Sequence, residues 1–220
     1  MSGNTLSNSK SNEGLFIPEP SLRRLPWYLS YVKFLQAEGQ EQVSSTQIAR
    51  GVGVDSSLVA KDLSYVDLQG RTRVGYKINE MIAVLDDFLG FTTTHKAVIF
   101  GVGSLGAALL SDHGLRQFGL EIVAGFDVKS ELIGKTLEGT PIYHMDELSS
   151  KIDLSVVNIA ILTVPIQSAQ DVTNKIIDYG FRAIWNFTPF RISVPEGVVV
   201  QNTSMYAHLA VMFNRMKSNG

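Results

Sequence analysis

Apolar residues in the first third of the chain recur at spacings of three and four, which is the period of an α-helix. The first such set comprises Leu22, Leu25, Leu29, Val32 and Leu35. It predicts a helix that ends near Gly39 and carries Pro26 in its first turns, where proline is tolerated. The chain is therefore expected to begin its folded part with an amphipathic helix.

Two shorter helices are predicted by capping residues that precede apolar positions. Residues 44–46 can cap the first helix and residues 55–57 the second, because serine, threonine and aspartate accept hydrogen bonds from helix N-termini. The apolar positions that follow these caps are Ile48, Ala49, Leu58, Val59 and Leu63. The glycine-rich residues 51–54 predict a turn between the helices, so the order is typical of a helix-turn-helix.

Residues 70–76 predict two short strands around a basic tip, in the manner of a wing. Another amphipathic helix follows, with apolar positions at Ile82, Leu85, Phe88 and Leu89. Residues 90–95 are then expected to link this region to a second one.

The pattern changes after residue 95 to alternating apolar runs and helical segments. The predicted strands cover residues 96–100, 120–126, 141–143, 158–164, 181–187 and 198–201, and the predicted helices begin at Ser104, near Asp146 and at Ala169. Such alternation is typical of a mostly parallel sheet with helices on both faces. The two regions together indicate an α/β protein of two domains.

The last predicted helix, over residues 203–217, has an apolar stripe but no later strand to pack against. Its stripe consists of Met205, Leu209, Met212, Phe213 and Met216. The stripe could pack against the core of its own domain or against a second subunit. The second alternative is favoured because a helix-turn-helix usually reads an operator as a two-fold dimer.

Composition narrows the possible functions. The chain has 220 residues, of which 45% are hydrophobic, and no cysteine, which excludes thiolate catalysis, disulfides and cysteine-ligated metal sites. Residues 1–18 lack a signal peptide and are expected to form a disordered arm. The four histidines show no metal-ligand spacing, and no apolar run is long enough to span a bilayer. We therefore expect a cytoplasmic protein without a metal site.

The net charge of −2 conceals an uneven distribution. Residues 21–77 contain eight basic and five acidic side chains, a balance of +3, so the rest of the chain sums to −5. A polyanion such as duplex DNA would therefore be expected to bind the first third of the chain. The alternative is that these basic residues form an ordinary solvated surface, which would have the same charge balance.

A glycine-rich loop follows the first strand of the second region. The loop consists of Gly101, Val102, Gly103, Ser104, Leu105 and Gly106, and Asp127 ends the next apolar run. The glycines permit a tight turn, close approach of a pyrophosphate and close packing of the next helix on the sheet. Asp127 can accept hydrogen bonds from a ribose and repel a 2′-phosphate, so the site is expected to bind NAD(H) rather than NADP(H).

Several strings beyond this loop carry a family resemblance over residues 20–215. They include Arg24-Leu25-Pro26-Trp27-Tyr28, Lys61-Asp62-Leu63-Ser64-Tyr65, Val74-Gly75-Tyr76, Ala160-Ile161-Leu162-Thr163-Val164-Pro165 and Asn186-Phe187-Thr188-Pro189. With these strings the chain resembles the bacterial redox-sensing transcriptional repressors called Rex. The resemblance implies a homodimer that binds a palindromic operator when NAD⁺ prevails and releases it when NADH binds.

The resemblance also implies a domain plan. It comprises a winged helix-turn-helix DNA-binding domain over 19–92, a Rossmann NAD(H)-binding domain over 93–202 and a domain-swapped C-terminal dimerisation helix over 203–220. Thr163, Val164 and Pro165 would flank the nicotinamide together with Phe187 and Pro189. An enzyme is not expected, because a Rossmann region without a substrate domain leaves little room for a substrate and for a group that moves its proton. A small NAD-dependent oxidoreductase or cofactor-binding subunit is the alternative.

The candidate DNA contacts lie on the second short helix and the wing. Ser56, Ser57 and Lys61 can reach phosphates or base edges in the major groove, and Arg71 and Arg73 can reach a neighbouring groove or phosphate. The alternative for each of these residues is an ordinary surface side chain that is solvated and makes no contact with DNA.

Several positions depart from the family pattern, among them residues 66–69, which replace a more usual aromatic and glycine-rich sequence before the wing. Ala60 replaces a frequent basic residue, while Ser30, Asp112 and Ser204 replace a frequent arginine, tyrosine and aspartate. We expect cofactor binding to persist, with the coupling to DNA carried by other contacts or altered in strength. Asp112 would lie near the nicotinamide and favour its cationic form.

Overall fold

The computed structural model describes residues 17–71 and 74–218. The chain folds into two compact units and passes from the first to the second between Gly90 and Phe91. Most of the predicted disordered arm, residues 1–16, lies outside the described residues, as does Arg73 of the predicted wing.

The first unit contains four helices and a two-stranded sheet in its described part. Its elements are α1 (Glu19–Ala37), β1 (Gln42–Val43), α2 (Ser45–Val52), α3 (Ser56–Ser64), β2 (Tyr76–Lys77) and α4 (Ile78–Phe88). The predicted caps are confirmed, since Ser44 accepts a hydrogen bond from the Gln47 amide and Asp55 accepts one from the Ser57 amide. The wing takes the form of an antiparallel bridge between Arg71 and Gly75, followed by β2, which pairs with β1.

The core of this unit lies between α1 and the other helices. Leu25, Leu29, Val32 and Leu35 of α1 are buried as predicted, together with residues of the other three helices. Leu22, Leu58 and Phe88 were predicted on buried faces, but each is 38–39% exposed. Periodicity identifies the face of a helix, whereas burial also depends on how far along that face its neighbours reach.

Pro26 lies deeper in α1 than predicted, because the helix begins at Glu19 rather than near Leu22. A proline inside a helix lacks the N–H of a backbone hydrogen bond. At Pro26 this removes the helical hydrogen bond to the Leu22 carbonyl. The Pro26 carbonyl itself accepts a hydrogen bond from the Ser30 hydroxyl at 2.9 Å.

The second unit is built on a seven-stranded sheet. The strands are β3 (His95–Phe100), β4 (Leu120–Asp127), β5 (Thr136–Leu137), β6 (Thr140–His144), β7 (Val157–Leu162), β8 (Ala183–Asn186) and β9 (Val199–Asn202). Their spatial order is β5-β6-β4-β3-β7-β8-β9, and every neighbouring pair is parallel except β5 with β6. From β6 to β9 this is the strand order of a Rossmann fold. The predicted α/β class with a mostly parallel sheet is therefore confirmed.

Before β9, helices follow three of these strands: α5 (Ser104–Leu110) and α6 (Gly114–Gln117) follow β3, α7 (Leu148–Lys151) follows β6, and α8 (Ala169–Tyr179) follows β7. Successive residues of β3 belong to different hydrophobic clusters, with Ala97 and Ile99 in one and Val98 and Phe100 in the other. Because both faces of the sheet are covered, the central strands read as continuous apolar runs.

The last helix, α9 (Met205–Ser218), has none of its residues buried. Its apolar stripe, Met205, Leu209, Met212, Phe213 and Met216, is 41–66% exposed. The alternative that this stripe closes the core of its own domain is therefore wrong for the chain as described. Among the described residues, no helix is long and apolar enough to cross a membrane.

Candidate functional site

The glycine loop runs from the end of β3 into α5 under tight steric constraints. Gly101 has φ +92°, and a Cβ there would lie 3.0 Å from the Thr163 carbonyl group. A Cβ on Gly106 would lie 2.1 Å from the Gly101 carbonyl oxygen, well inside van der Waals contact. The loop, α5 and the end of β7 are thus packed so closely that these positions exclude a side chain.

Gly103 has the opposite environment, since a Cβ there would have no neighbouring atom within 4 Å. The first intrahelical bond, from the Ala107 amide to the Gly103 carbonyl at 2.8 Å, leaves the preceding amides without a partner in the helix. Open space beside these amides is what a pyrophosphate needs at a helix N-terminus.

Asp127 is held by three backbone amides at the end of β4. Its Oδ2 accepts from the Val102 N–H at 2.6 Å, and its Oδ1 accepts from the amides of Val128 at 2.8 Å and Lys129 at 2.9 Å. The carboxylate is therefore fixed against the glycine loop before any ligand binds. Val102 contributes through this amide, because its side chain is buried in the core.

Thr163 closes the loop from the β7 side. Its Oγ1 lies 2.6 Å from the Gly101 carbonyl oxygen and 3.1 Å from that of Phe100. β3 and β7 lie side by side at the point where the strand order reverses. In open α/β sheets this is where ligands bind.

A cleft of about 430 Å³ opens at this edge of the sheet. Half of the predicted cofactor residues line it, namely Gly101, Gly103, Asp127, Thr163, Val164 and Pro165. The remaining lining residues, which the sequence did not reveal, are Phe100, Phe126, Val128, Lys129, Met145, Ser168 and Val172. Lys129 could have been found from its place two residues after Asp127, whereas Met145 required the knowledge that β6 lies beside β4.

The other predicted cofactor residues lie elsewhere in this unit. Ser104, Leu105 and Gly106 form the first turn of α5. Phe187 does not line the cleft, and its ring packs on Trp185 with 4.6 Å between the ring centroids. Pro189 is exposed and lines a separate hollow with Ser204.

A buried amide organises the loop after β8. Asn186 accepts hydrogen bonds from the amide and hydroxyl of Thr188, and it donates to the carbonyl of Phe190 and to Oδ1 of Asn202. The loop is thereby tied to the end of β9, next to the start of α9.

The DNA-contact candidates in the first unit are solvent-accessible. Ser57 and Lys61 are exposed on α3, Ser56 is half-buried, and Arg71 is exposed at the base of the wing. Ala60 is also exposed on α3, so the position of the missing basic side chain faces solvent. The exposed side of α3 therefore carries short hydroxyls and one ammonium group.

The opposite side of α3 carries a buried charge that the sequence analysis missed. Asp62 is fully buried and accepts from Arg24 Nε at 2.7 Å, from Arg24 Nη2 at 2.8 Å and from the Tyr28 hydroxyl at 2.7 Å. Asp62 shares the helical spacing of the apolar residues Val59 and Leu63, which was the available signal. This Arg24–Asp62–Tyr28 network joins α1 to α3.

The network shifts the pKa of each member. Burial alone would raise the pKa of Asp62, but hydrogen bonds from Arg24, Tyr28 and Ser21 outweigh it and lower that pKa. Burial and the hydrogen bond to Asp62 raise the pKa of Tyr28 to about 12. The hydrogen bond to Asp62 raises the pKa of Arg24. At neutral pH the network is an ion pair with a neutral phenol.

Besides Ser30, two more of the departures from the family pattern make local hydrogen bonds. Ser204 Oγ accepts from the Ala207 amide at 3.2 Å and so caps α9. Asp112 is exposed, accepts from the Gly114 amide at 2.8 Å and does not line the cleft, so its expected place beside the nicotinamide finds no support in this chain.

Comparisons with known proteins cover both units. A family model described as "CoA binding domain" matches residues 92–190, and one described as "Putative DNA-binding protein N-terminus" matches residues 16–64. The redox-sensing transcriptional repressor Rex of Porphyromonas gingivalis is 64% identical over 214 residues, which cover 97% of this chain and 98% of that protein. Rex of Bacteroides fragilis is 61% identical over 203 residues, which cover 92% of each chain.

Solved structures of RSP, a Rex-family repressor, have the same fold. RSP in complex with β-NAD⁺ and operator DNA superposes with a TM-score of 0.87 at 26% identity, covering 93% of this chain and 94% of that one. RSP in complex with β-NADH superposes with a TM-score of 0.83 at 26% identity, covering 93% and 96%.

Proposed function

This chain belongs to the Rex family of redox-sensing transcriptional repressors, and we propose that it binds a palindromic operator and leaves it when NADH binds. It is a DNA-binding repressor that senses NAD(H). The 64% identity to the Porphyromonas gingivalis repressor carries this conclusion, because the match spans both units. A small NAD-dependent oxidoreductase is not supported, since the relatives that span nearly the whole chain are repressors.

The cofactor site that we propose is the cleft at the ends of β3, β4 and β7. The pyrophosphate would lie over Gly103 and the first turn of α5, and Asp127 would bind the adenosine ribose. The nicotinamide would lie toward Thr163, Val164 and Pro165, at the edge of the sheet from which the loop with Phe187 and Pro189 leaves β8. The fixed carboxylate and the open space at Gly103 support this assignment.

The operator would be read by the exposed side of α3. Ser56, Ser57 and Lys61 would contact the major groove, and Arg71 and Arg73 would contact the adjacent backbone or groove. The positive balance of residues 21–77 supports this placement. The RSP complex that contains operator DNA also contains β-NAD⁺, which supports binding of the operator in the oxidised state.

We also propose that α9 joins two copies of the chain. Its apolar stripe is exposed in the single chain, and a second copy would both cover it and supply the second α3 helix that a palindromic operator requires. Under this proposal the chain has a DNA-binding domain over 19–92, a cofactor domain over 93–202 and an exchanged helix over 203–220. The repressor would act in the cytoplasm.

A titration of a labelled palindromic operator tests the proposal. Fluorescence anisotropy at fixed salt, with NADH or with NAD⁺, should give tight binding that NADH alone weakens. Sedimentation equilibrium of the same samples should give a dimer. Equal operator affinity with both nucleotides would contradict redox sensing, and a monomer would contradict the role of α9.

A further inference from the structure

Among the described residues, two charged side chains line the cofactor cleft, and both lie close to the end of β4. Asp127 is the anion and Lys129, two residues later, is the cation. The other lining residues are glycines, apolar residues, Thr163 and Ser168. The balance of charge that a bound nucleotide meets is therefore decided at this one edge.

The hydrogen bonds of Asp127 limit what its carboxylate can do for a ribose. A carboxylate offers about four acceptor positions, and three are occupied by backbone amides. Both acceptor positions of Oδ1 are used, so Oδ2 retains one for a ribose hydroxyl. Asp127 is then expected to accept a hydrogen bond from one ribose hydroxyl rather than from two.

Lys129 stands in the opposite situation. Its amide is engaged with Asp127, but its side chain is exposed and forms no ion pair with any residue in the described part of the chain. A lysine ammonium binds phosphate as a compact positive charge. Its attraction for an anion therefore opposes the repulsion that Asp127 exerts.

We propose that Lys129 is a specificity-determining residue that offers a partner to a phosphate monoester on the adenosine ribose. This inference rests on the proposed binding of NAD(H) in the same cleft. Discrimination against 2′-phosphorylated nucleotides is then a balance between Asp127 and Lys129, not the action of the acid alone.

Calorimetric titration of the full-length protein with ADP-ribose and with 2′-phospho-ADP-ribose isolates the adenosine end of the ligand. Lys129→Ala should weaken binding of the phosphorylated probe about two- to fivefold, the range for an exposed ion pair, and leave ADP-ribose nearly unchanged. Lys129→Glu doubles the change in charge and should have the larger effect. Lys135→Ala and Lys135→Glu are matched controls, because Lys135 is exposed in the same connection but does not line the cleft.

Other results would overturn the inference. Equal weakening of both probes would place Lys129 on the pyrophosphate or the adenine, and no change in either would remove it from the site. The probe 3′,5′-ADP, compared with 2′,5′-ADP, shows which ribose position the ammonium reaches. A Lys129-dependent gain at the 2′ position supports the inference, and a gain confined to the 3′ position would contradict it. Failure of the wild type to bind ADP-ribose would instead contradict the proposed cofactor site.

Discussion

The two units hold their functional groups by different means. In the first unit, side chains do the positioning, because the Arg24–Asp62–Tyr28 network joins α1 to α3 across 38 residues of sequence and leaves the other side of α3 exposed. In the second unit, the backbone does it, because amides fix Asp127 and carbonyl groups leave no room for side chains at Gly101 and Gly106. The comparison indicates that loss of a buried charge should destabilise the first unit, whereas added side-chain volume in the glycine loop should destabilise the second.

The largest effect is expected when the buried charge of Asp62 is removed, because this change should affect the first unit and not the second. Asp62→Asn leaves the Arg24 guanidinium without its counter-charge and should destabilise the first unit by about 3–5 kcal/mol. Operator binding should be lost while NADH binding persists. Urea denaturation followed by circular dichroism, together with NADH titration of the same variant, measures both outcomes.

The control for this variant is Asp86→Asn, which breaks the more exposed Lys33–Asp86 pair and should cost about 1 kcal/mol or less. The pH dependence gives a second check. Since the pKa of Asp62 lies below its ordinary value of 3.8 in the folded protein, its contribution to stability is present above pH 3.8 and is lost as the pH falls further. Asp62→Asn should lack this acid-dependent component, and an unchanged acid profile would contradict the role assigned to the network.

The next effect compares two glycines of one loop. Gly106→Ala places a methyl group against the Gly101 carbonyl and should cost about 1–3 kcal/mol, with loss of NADH binding. Gly103→Ala meets no protein atom, so stability should change by less than about 0.5 kcal/mol while NADH affinity falls by roughly tenfold. Thermal unfolding and NADH fluorescence distinguish the two. Equal loss of stability in both variants would show that the loop is not constrained as described.

The smallest effect on stability concerns the exposed side of α3. Lys61→Ala should weaken operator binding and lower the slope of log affinity against log salt by about 1 for each Lys61 that contacts a phosphate. Stability should stay within about 0.5 kcal/mol of the wild type. Lys175→Ala removes another exposed charge, from α8, and should leave the salt slope unchanged. The same reduction in both variants would mean a general charge effect rather than a contact.

The sequence predicted elements well where a local signal was present. The serine and aspartate caps of α2 and α3, the strands at the centre of the sheet and the glycine loop all have such signals, and the structure contains them. It predicted burial less well, since Leu22 and Leu58 share helical periods with core residues but are exposed. A period gives direction around a helix and carries no information about what stands opposite it.

What the sequence determined by itself was the chemistry available at each point of the chain: glycines after β3, an acid at the end of β4, and hydroxyls and a lysine on α3. What only the tertiary structure decided was which of these groups meet. Asp62 is paired with Arg24, the Asp127 carboxylate is engaged by three amides, Lys129 lines the cleft and the stripe of α9 is left uncovered. The physical reason is that capping and turn formation depend on neighbours in sequence, whereas ion pairing, steric exclusion and burial depend on residues that the fold brings together from distant positions.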